Sequence, residues 1–226
     1  MDSTGQLVLA TLVFLATHFV PATPLRAAFV RTIGERAYLA VYSIVALATI
    51  FWMVWAYNRA PFEPLWQVAG FRLVPLVVMP FSLILIAAGL MGRNPTAVGQ
   101  ESSLKATEPA RGMIRVTRHP FMWGVILWAL AHVLARGDLA SLVFFGGFFV
   151  LAALGSALID RRKAATLGED WKRFADLTSN VPFAAIAGGR NRFDLGEIGW
   201  KRIGVGLVLY VVLLAVHPYL FGAQPY

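Results

Sequence analysis

Apolar residues fall in solid blocks along this chain, not in the stripes that mark a soluble amphipathic helix. Six blocks stand out: Leu7–Ala22, Ala37–Tyr57, Leu73–Met91, Pro120–Ala135, Leu139–Ile159 and Ile203–Phe221. Crossing a bilayer takes roughly 20 apolar residues, with about 17 to 25 usual. The first and fourth blocks fall about a turn short and must draw on flanking residues such as Thr4–Gln6 and Arg136. The pattern predicts one all-α domain over residues 1–226, a polytopic membrane bundle of six helices.

Local signals refine this picture. Pro120 suits the first turn of the fourth helix, where a missing N–H costs nothing. Its ring pushes His119 out of helical geometry, to the mouth of that helix. Pro75 and Pro80 should bend the third span. Thr11, Phe14 and His18 share one side of the first. Gly146-Gly147, set among Phe144, Phe145, Phe148 and Phe149, suits close helix contact in the fifth. Beyond it, Leu167, Trp171, Phe174 and Leu177 lie near one face, which predicts an amphipathic helical region on the inner membrane surface. Val181–Ala187 is apolar but too short to cross. The first block follows Met-Asp-Ser-Thr-Gly-Gln, which has no Lys or Arg, so it reads as a permanent helix and not an export signal.

Composition agrees: of 226 residues 58% are hydrophobic and 14% charged. With no cysteine there is no disulfide framework, no thiolate metal site and no covalent haem attachment, so any metal or haem must rest on histidine or oxygen. The net charge of +8 is lopsided. Of the 20 Lys and Arg, 17 fall in the connections between spans 1–2, 3–4 and 5–6, and only Arg59, Arg72 and Arg136 fall on the other side. Basic loops stay cytoplasmic, so both termini should face the periplasm of a bacterial inner membrane. Such a face attracts anionic lipid. Nucleic acid is a poor partner for it, because the basic residues form no separate module.

The chemistry rests on four histidines. His18 and His132 lie at membrane depth, where an ionisable group is a functional candidate; packing satisfied by a hydrogen bond is the equal alternative. His119 and His217 lie at the interfaces. Depth alone pairs His18 with His119 and His132 with His217 as axial ligands of a haem. His18 with His132 spans a vertical offset of about 10 Å that helix tilt and side-chain reach must absorb.

Several long motifs carry a resemblance: Gly92-Arg93-Asn94-Pro95-Thr96, the run Arg111-Gly-Met-Ile-Arg-Val-Thr-Arg-His-Pro-Phe-Met-Trp-Gly124, His132, and Thr178-Ser179-Asn180-Val181-Pro182-Phe183. On these the chain resembles the NnrU family, membrane proteins associated with bacterial nitrite and nitric oxide metabolism. The domain is also similar to plant zeta-carotene isomerase, a haem b enzyme. The first resemblance implies denitrification, with a respiratory partner such as nitric oxide reductase. The second implies haem b on His18 and His132. A more distant resemblance, through Arg118-His119-Pro120 and Gly124, is to membrane methyltransferases of the isoprenylcysteine and phospholipid type. It implies S-adenosylmethionine held at the cytoplasmic face by Arg118 and His119. Here Met122 replaces that family's tyrosine and Asp160-Arg161 its acidic pair. A non-enzymatic assembly or regulatory role is the third expectation. No Walker loop, nucleotide-binding glycine fingerprint or HExxH is present.

Overall fold

The computed structural model describes residues 2–225 and is helical throughout. No strand forms among the described residues; there is one isolated antiparallel bridge, Pro64 to Asp138. Ten α-helices follow in order among the described residues. α1 is Ser3–Phe19, α2 Leu25–Ile33, α3 Glu35–Tyr57, α4 Val74–Met91 and α5 Met113–Val116. α6 is Pro120–Arg136, α7 Leu139–Leu177, α8 Ala184–Ala187, α9 Leu195–Ile198 and α10 Trp200–Phe221.

Each of the six apolar blocks falls on one long helix, the first running on into the 3-10 turn Val20–Ala22 and the third beginning at the end of the 3-10 turn Phe71–Leu73. Five segments are long and apolar enough to cross a membrane: Ser3–Ala22, Glu35–Tyr57, Phe71–Met91, Leu139–Leu177 and Trp200–Phe221. The fourth block forms α6, a shorter apolar helix of 17 residues. The protein is thus an all-helical multi-pass membrane protein. Many large apolar side chains face outward, among them Phe51 at 72% exposure and Val77 at 66%. In water such a surface would be a liability, whereas lipid accepts it.

The order of packing is α3–α1–α7–α6–α4–α10. Small residues set the closeness of these contacts. A Cβ on Gly124 of α6 would stand 2.5 Å from Ile86 Cγ1 and 2.8 Å from the Ser82 carbonyl of α4, so only glycine allows this approach. Ser82 uses it to donate to the Gly124 carbonyl at 2.7 Å. A Cβ on Gly147 of α7 would meet Thr11 Cγ2 of α1 at 2.7 Å. A core of Leu7, Ala10, Phe14, Met53, Ala56, Ala129, Phe144 and Phe145 fills the space between α1, α3, α6 and α7.

The connections sort into two faces. On one, Thr4 donates to Glu63, Leu65 and Trp66 donate N–H groups to the Gly137 carbonyl, and Leu139 N–H reaches the Glu63 carbonyl. On the other, the segments 92–119 and 160–199 interlock. Lys163 pairs with Glu101 at 2.6 Å, and Arg115 is bidentate to Glu197 at 2.8 and 2.9 Å.

Two features depart from the sequence expectation. α7 runs on for 39 residues, broken only by non-helical geometry at Gly168. Its far part does not lie on the membrane through Trp171 and Phe174. Both are buried against Leu104, Ala110 and Ile114 of the 92–119 segment, and Leu177 alone of that row stays exposed. The apolar face is covered by protein, so lipid is not needed to satisfy it. The second is α2, Leu25–Ile33, a helix in the connection between the first two blocks, where the apolar pattern predicts none.

Candidate functional site

The densest polar site is the cap at the N-terminal mouth of α6. Pro120 is the first residue of that helix, and His119 stands just outside it at φ −122°, ψ 57°. This turn places two consecutive side chains on one carboxylate. His119 Nε2 lies 2.7 Å from Asp160 Oδ1, and Arg118 Nη1 lies 3.4 Å from Asp160 Oδ2. His119 is 2% exposed.

Arg118 also donates to the carbonyls of Thr178 at 2.7 Å and Ala175 at 3.1 Å, the unsatisfied end of α7. Its own carbonyl accepts from Asn94 and Thr96. Burial holds the guanidinium below its ordinary value, with Asp160 pulling the other way. Asn180 extends the network: its amide donates to Ser156 at 3.0 Å, its side-chain oxygen accepts from Trp123 Nε1 at 3.2 Å, and its carbonyl accepts from Thr117. The three polar motifs of the sequence therefore meet in one cluster. Asp160 and Ser156, on α7, are members that motif reading did not pick out as partners. The hints were an acid closing an apolar run and the place of Asp160-Arg161 where the methyltransferases carry their acidic pair.

The membrane-depth histidines are built differently. His18 Nδ1 lies 2.8 Å from the Phe14 carbonyl, and His132 Nδ1 lies 2.8 Å from the Trp128 carbonyl, each four residues back along its own helix. A carbonyl only accepts, so each Nδ1 carries the hydrogen. A neutral ring then keeps its lone pair on Nε2. This is how a metal-binding histidine is usually oriented.

The two rings are linked through aromatic side chains. Phe14 packs on His18 with centroids 4.1 Å apart and on Phe148 at 5.2 Å. Phe148 touches Trp128 at 5.2 Å, and Trp128 lies 5.6 Å from His132. Phe145 stacks on His132 at 5.0 Å. On the His18 side the buried hydroxyls of Thr11 and Tyr38 have no hydrogen-bond partner, an uncommon state for buried polar atoms. His217 bonds the Ala223 carbonyl through Nδ1 at 2.8 Å, near the end of α10.

His18, His132 and His217 are each anchored by Nδ1 to a carbonyl and leave Nε2 open, the atom a haem iron would take, and of the three His18 and His132 share one aromatic-lined core. His119 does not offer the same nitrogen, since Asp160 holds it. Among the described residues no group of three or more His, Cys, Asp or Glu could hold a metal ion, a condition that two-histidine haem ligation does not require.

Apolar helices carrying half-buried histidines, closed at one face by a polar cap, define a multi-pass α-helical membrane protein. The chain belongs to the NnrU protein family, whose pattern spans residues 6–225. It is 30% identical over 233 residues to the chloroplastic 15-cis-zeta-carotene isomerase of Arabidopsis thaliana, covering 96% of this chain and 61% of the relative. To the chloroplastic 15-cis-zeta-carotene isomerase of Zea mays it is 29% identical over 193 residues, covering 82% of this chain and 51% of the relative. The chain thus spans between half and two thirds of the length of these curated relatives. No solved structure matches it significantly.

Proposed function

We propose that this NnrU-family protein binds haem b between His18 and His132 and works on nitrogen oxides in a bacterial inner membrane. The observation that carries the reading is the shared geometry of the two rings, each anchored by Nδ1 to a carbonyl and open at Nε2. Bound haem b would supply one-electron redox chemistry and an iron to which a gas ligand could bind. The chain's own part is to fix both tautomers, exclude water with Phe14, Trp128, Phe145 and Phe148, and close the inner face with the Arg118–Asp160 cap. In this reading α6 is a sixth crossing, the basic segments 92–119 and 160–199 are cytoplasmic, and both termini are periplasmic. The partner is a respiratory protein such as nitric oxide reductase.

Protein purified from haem-replete cells should carry a Soret band. That band should shift or vanish in His18→Ala and in His132→Ala, and persist in His217→Ala. A colourless wild type with no haem by pyridine haemochrome would end this reading.

A second reading is isomerisation of an apolar polyene at the same haem. It is favoured by the aromatic lining and by the activity named for both plant relatives. Incubation with 15-cis-zeta-carotene and analysis of the carotenoid isomers separates it from nitrogen-oxide chemistry. Methyl transfer from S-adenosylmethionine has less behind it, because His119 and Arg118 are already spent on Asp160. Micromolar calorimetric binding of that cofactor, lost in His119→Ala, would restore it.

A further inference from the structure

We propose that the crevice beside the inner end of α4 is a headgroup site for one anionic phospholipid. The crevice, of about 630 Å³, is lined by Arg93, Ser103, Thr107, Glu108, Pro109 and Arg111, among others. It lies outside both the histidine core and the Arg118–Asp160 cap.

Its depth follows from α7. That helix is capped at Asp138 on the opposite face, and Lys163 lies 25 residues further on. At 1.5 Å per residue the distance is roughly 37 Å, past the roughly 30 Å hydrocarbon core and into the headgroup layer. Lys163 Nζ holds Glu101 at 2.6 Å, and Glu101 opens the short 3-10 turn Glu101–Lys105 that carries Ser103. Arg93 follows α4 by two residues, and the last two residues of that helix, Leu90 and Met91, expose their apolar side chains. Acyl chains lying on those residues put their phosphate at the level of the crevice.

The charge fits as well. Arg93 is exposed and no ion pair holds it among the described residues. Arg111 is 66% exposed, with only loose contacts to Glu108 at 3.6 Å and Glu197 at 4.0 Å. Two guanidinium groups with free N–H donors flank the opening, and planar donors of this kind match phosphate oxygens. The exposed Thr107 hydroxyl has no partner among the described residues and adds a further donor. Glu108 sits beside Arg111, so the crevice as a whole is weakly cationic. That suits a monoanionic diester headgroup better than a multiply charged free phosphate.

The test uses the purified full chain in detergent, stripped of lipid and then titrated with phosphatidylglycerol or phosphatidylcholine under native mass spectrometry. Wild type should take up one phosphatidylglycerol in preference to phosphatidylcholine. The Arg93→Gln/Arg111→Gln double variant should bind it roughly tenfold more weakly or worse. Arg93→Lys should keep most of the affinity, and Arg59→Gln on the opposite face all of it. Both arginines are exposed, so a monodisperse double variant is expected and makes the comparison fair. Equal uptake of the two lipids, or unchanged uptake by the double variant, overturns the proposal. Displacement of the lipid by millimolar inorganic phosphate would also overturn it, in favour of a free-phosphate site.

Discussion

His119 and Asp160, 41 residues apart in sequence, share a 2.7 Å hydrogen bond inside the protein, and Arg118 completes the triad from the other side of the carboxylate. Removing the acid leaves His119 Nε2 and Arg118 Nη1 without their acceptor, while Arg118 Nη2 keeps the Ala175 and Thr178 carbonyls. Breaking one member out of a buried ionic cluster typically costs about 3–5 kcal/mol. Asp160→Ala should therefore lower the thermal midpoint of the detergent-solubilised protein by roughly 6–20 °C, at about 2–4 °C per kcal/mol for a chain of this size. Asp160→Asn, which keeps an acceptor, should lose less. If Asp160→Ala unfolds within a degree or so of wild type, the cap does not hold this face together.

The Arg115–Glu197 pair is a second clasp between the same two loops, and it is sensitive to acid. The bidentate hydrogen bond from Arg115, working against burial and aided by the Gly112 N–H, pulls the Glu197 carboxyl from the usual 4.5 down to about 2. A carboxyl depressed by folding contributes its full stabilisation above the unfolded value. That contribution fades as pH falls from about 4.5 through about 2. Wild type should lose stability across this window by more than Glu197→Gln does. Parallel acid titrations of the two proteins, followed by tryptophan fluorescence, would contradict the clasp.

Helix contact through Gly147 sets the distance between α1, which carries His18, and α7, which carries the aromatic row. Gly147→Leu forces a side chain into Thr11 and should separate the two helices. Gly146→Leu, where a Cβ meets nothing, should be far milder. Size-exclusion profiles in detergent decide this, and equal behaviour of the two variants would remove the close-contact argument.

The absence of cysteine offers a clean test of sidedness. Single cysteines at Asp2 and Gln224 should react with an impermeant maleimide in intact cells, and one at Lys172 only after lysis. Labelling of Lys172→Cys from outside would invert the proposed topology.

The long helices were legible because a bilayer selects for length and unbroken apolarity, and both are local properties of the sequence. The bounds of α6 were legible too, from Pro120 at one end and Arg136-Gly137 at the other. α2 was not: its nine residues follow Pro21 and Pro24, whose turn signals outweigh a faint periodicity in Leu25, Phe29 and Ile33. For Trp171 and Phe174 the pattern reveals an apolar face but not what covers it, and here a distant loop does. The partnership of His119 with Asp160 is non-local in the same sense. The sequence marked His119 as notable, but only folding shows which acid it meets. His18 and His132 stood out because histidine is rare at such depth, yet their fixed tautomers come from helix geometry that no spacing rule encodes.

One consequence follows from the shortness of α6. Seventeen helical residues rise about 25 Å, while a bilayer core is about 30 Å thick. Where α6 meets lipid, the acyl chains must compress or the helix flanks must be screened by α4 and α7. Such hydrophobic mismatch costs fractions of a kcal/mol per ångström and sorts proteins among membranes. In the proposed six-span reading α6 is the short crossing beside five segments of 20 to 39 residues, so lengthening the lipid tails in a reconstituted membrane should squeeze the helix that carries His132 before the others.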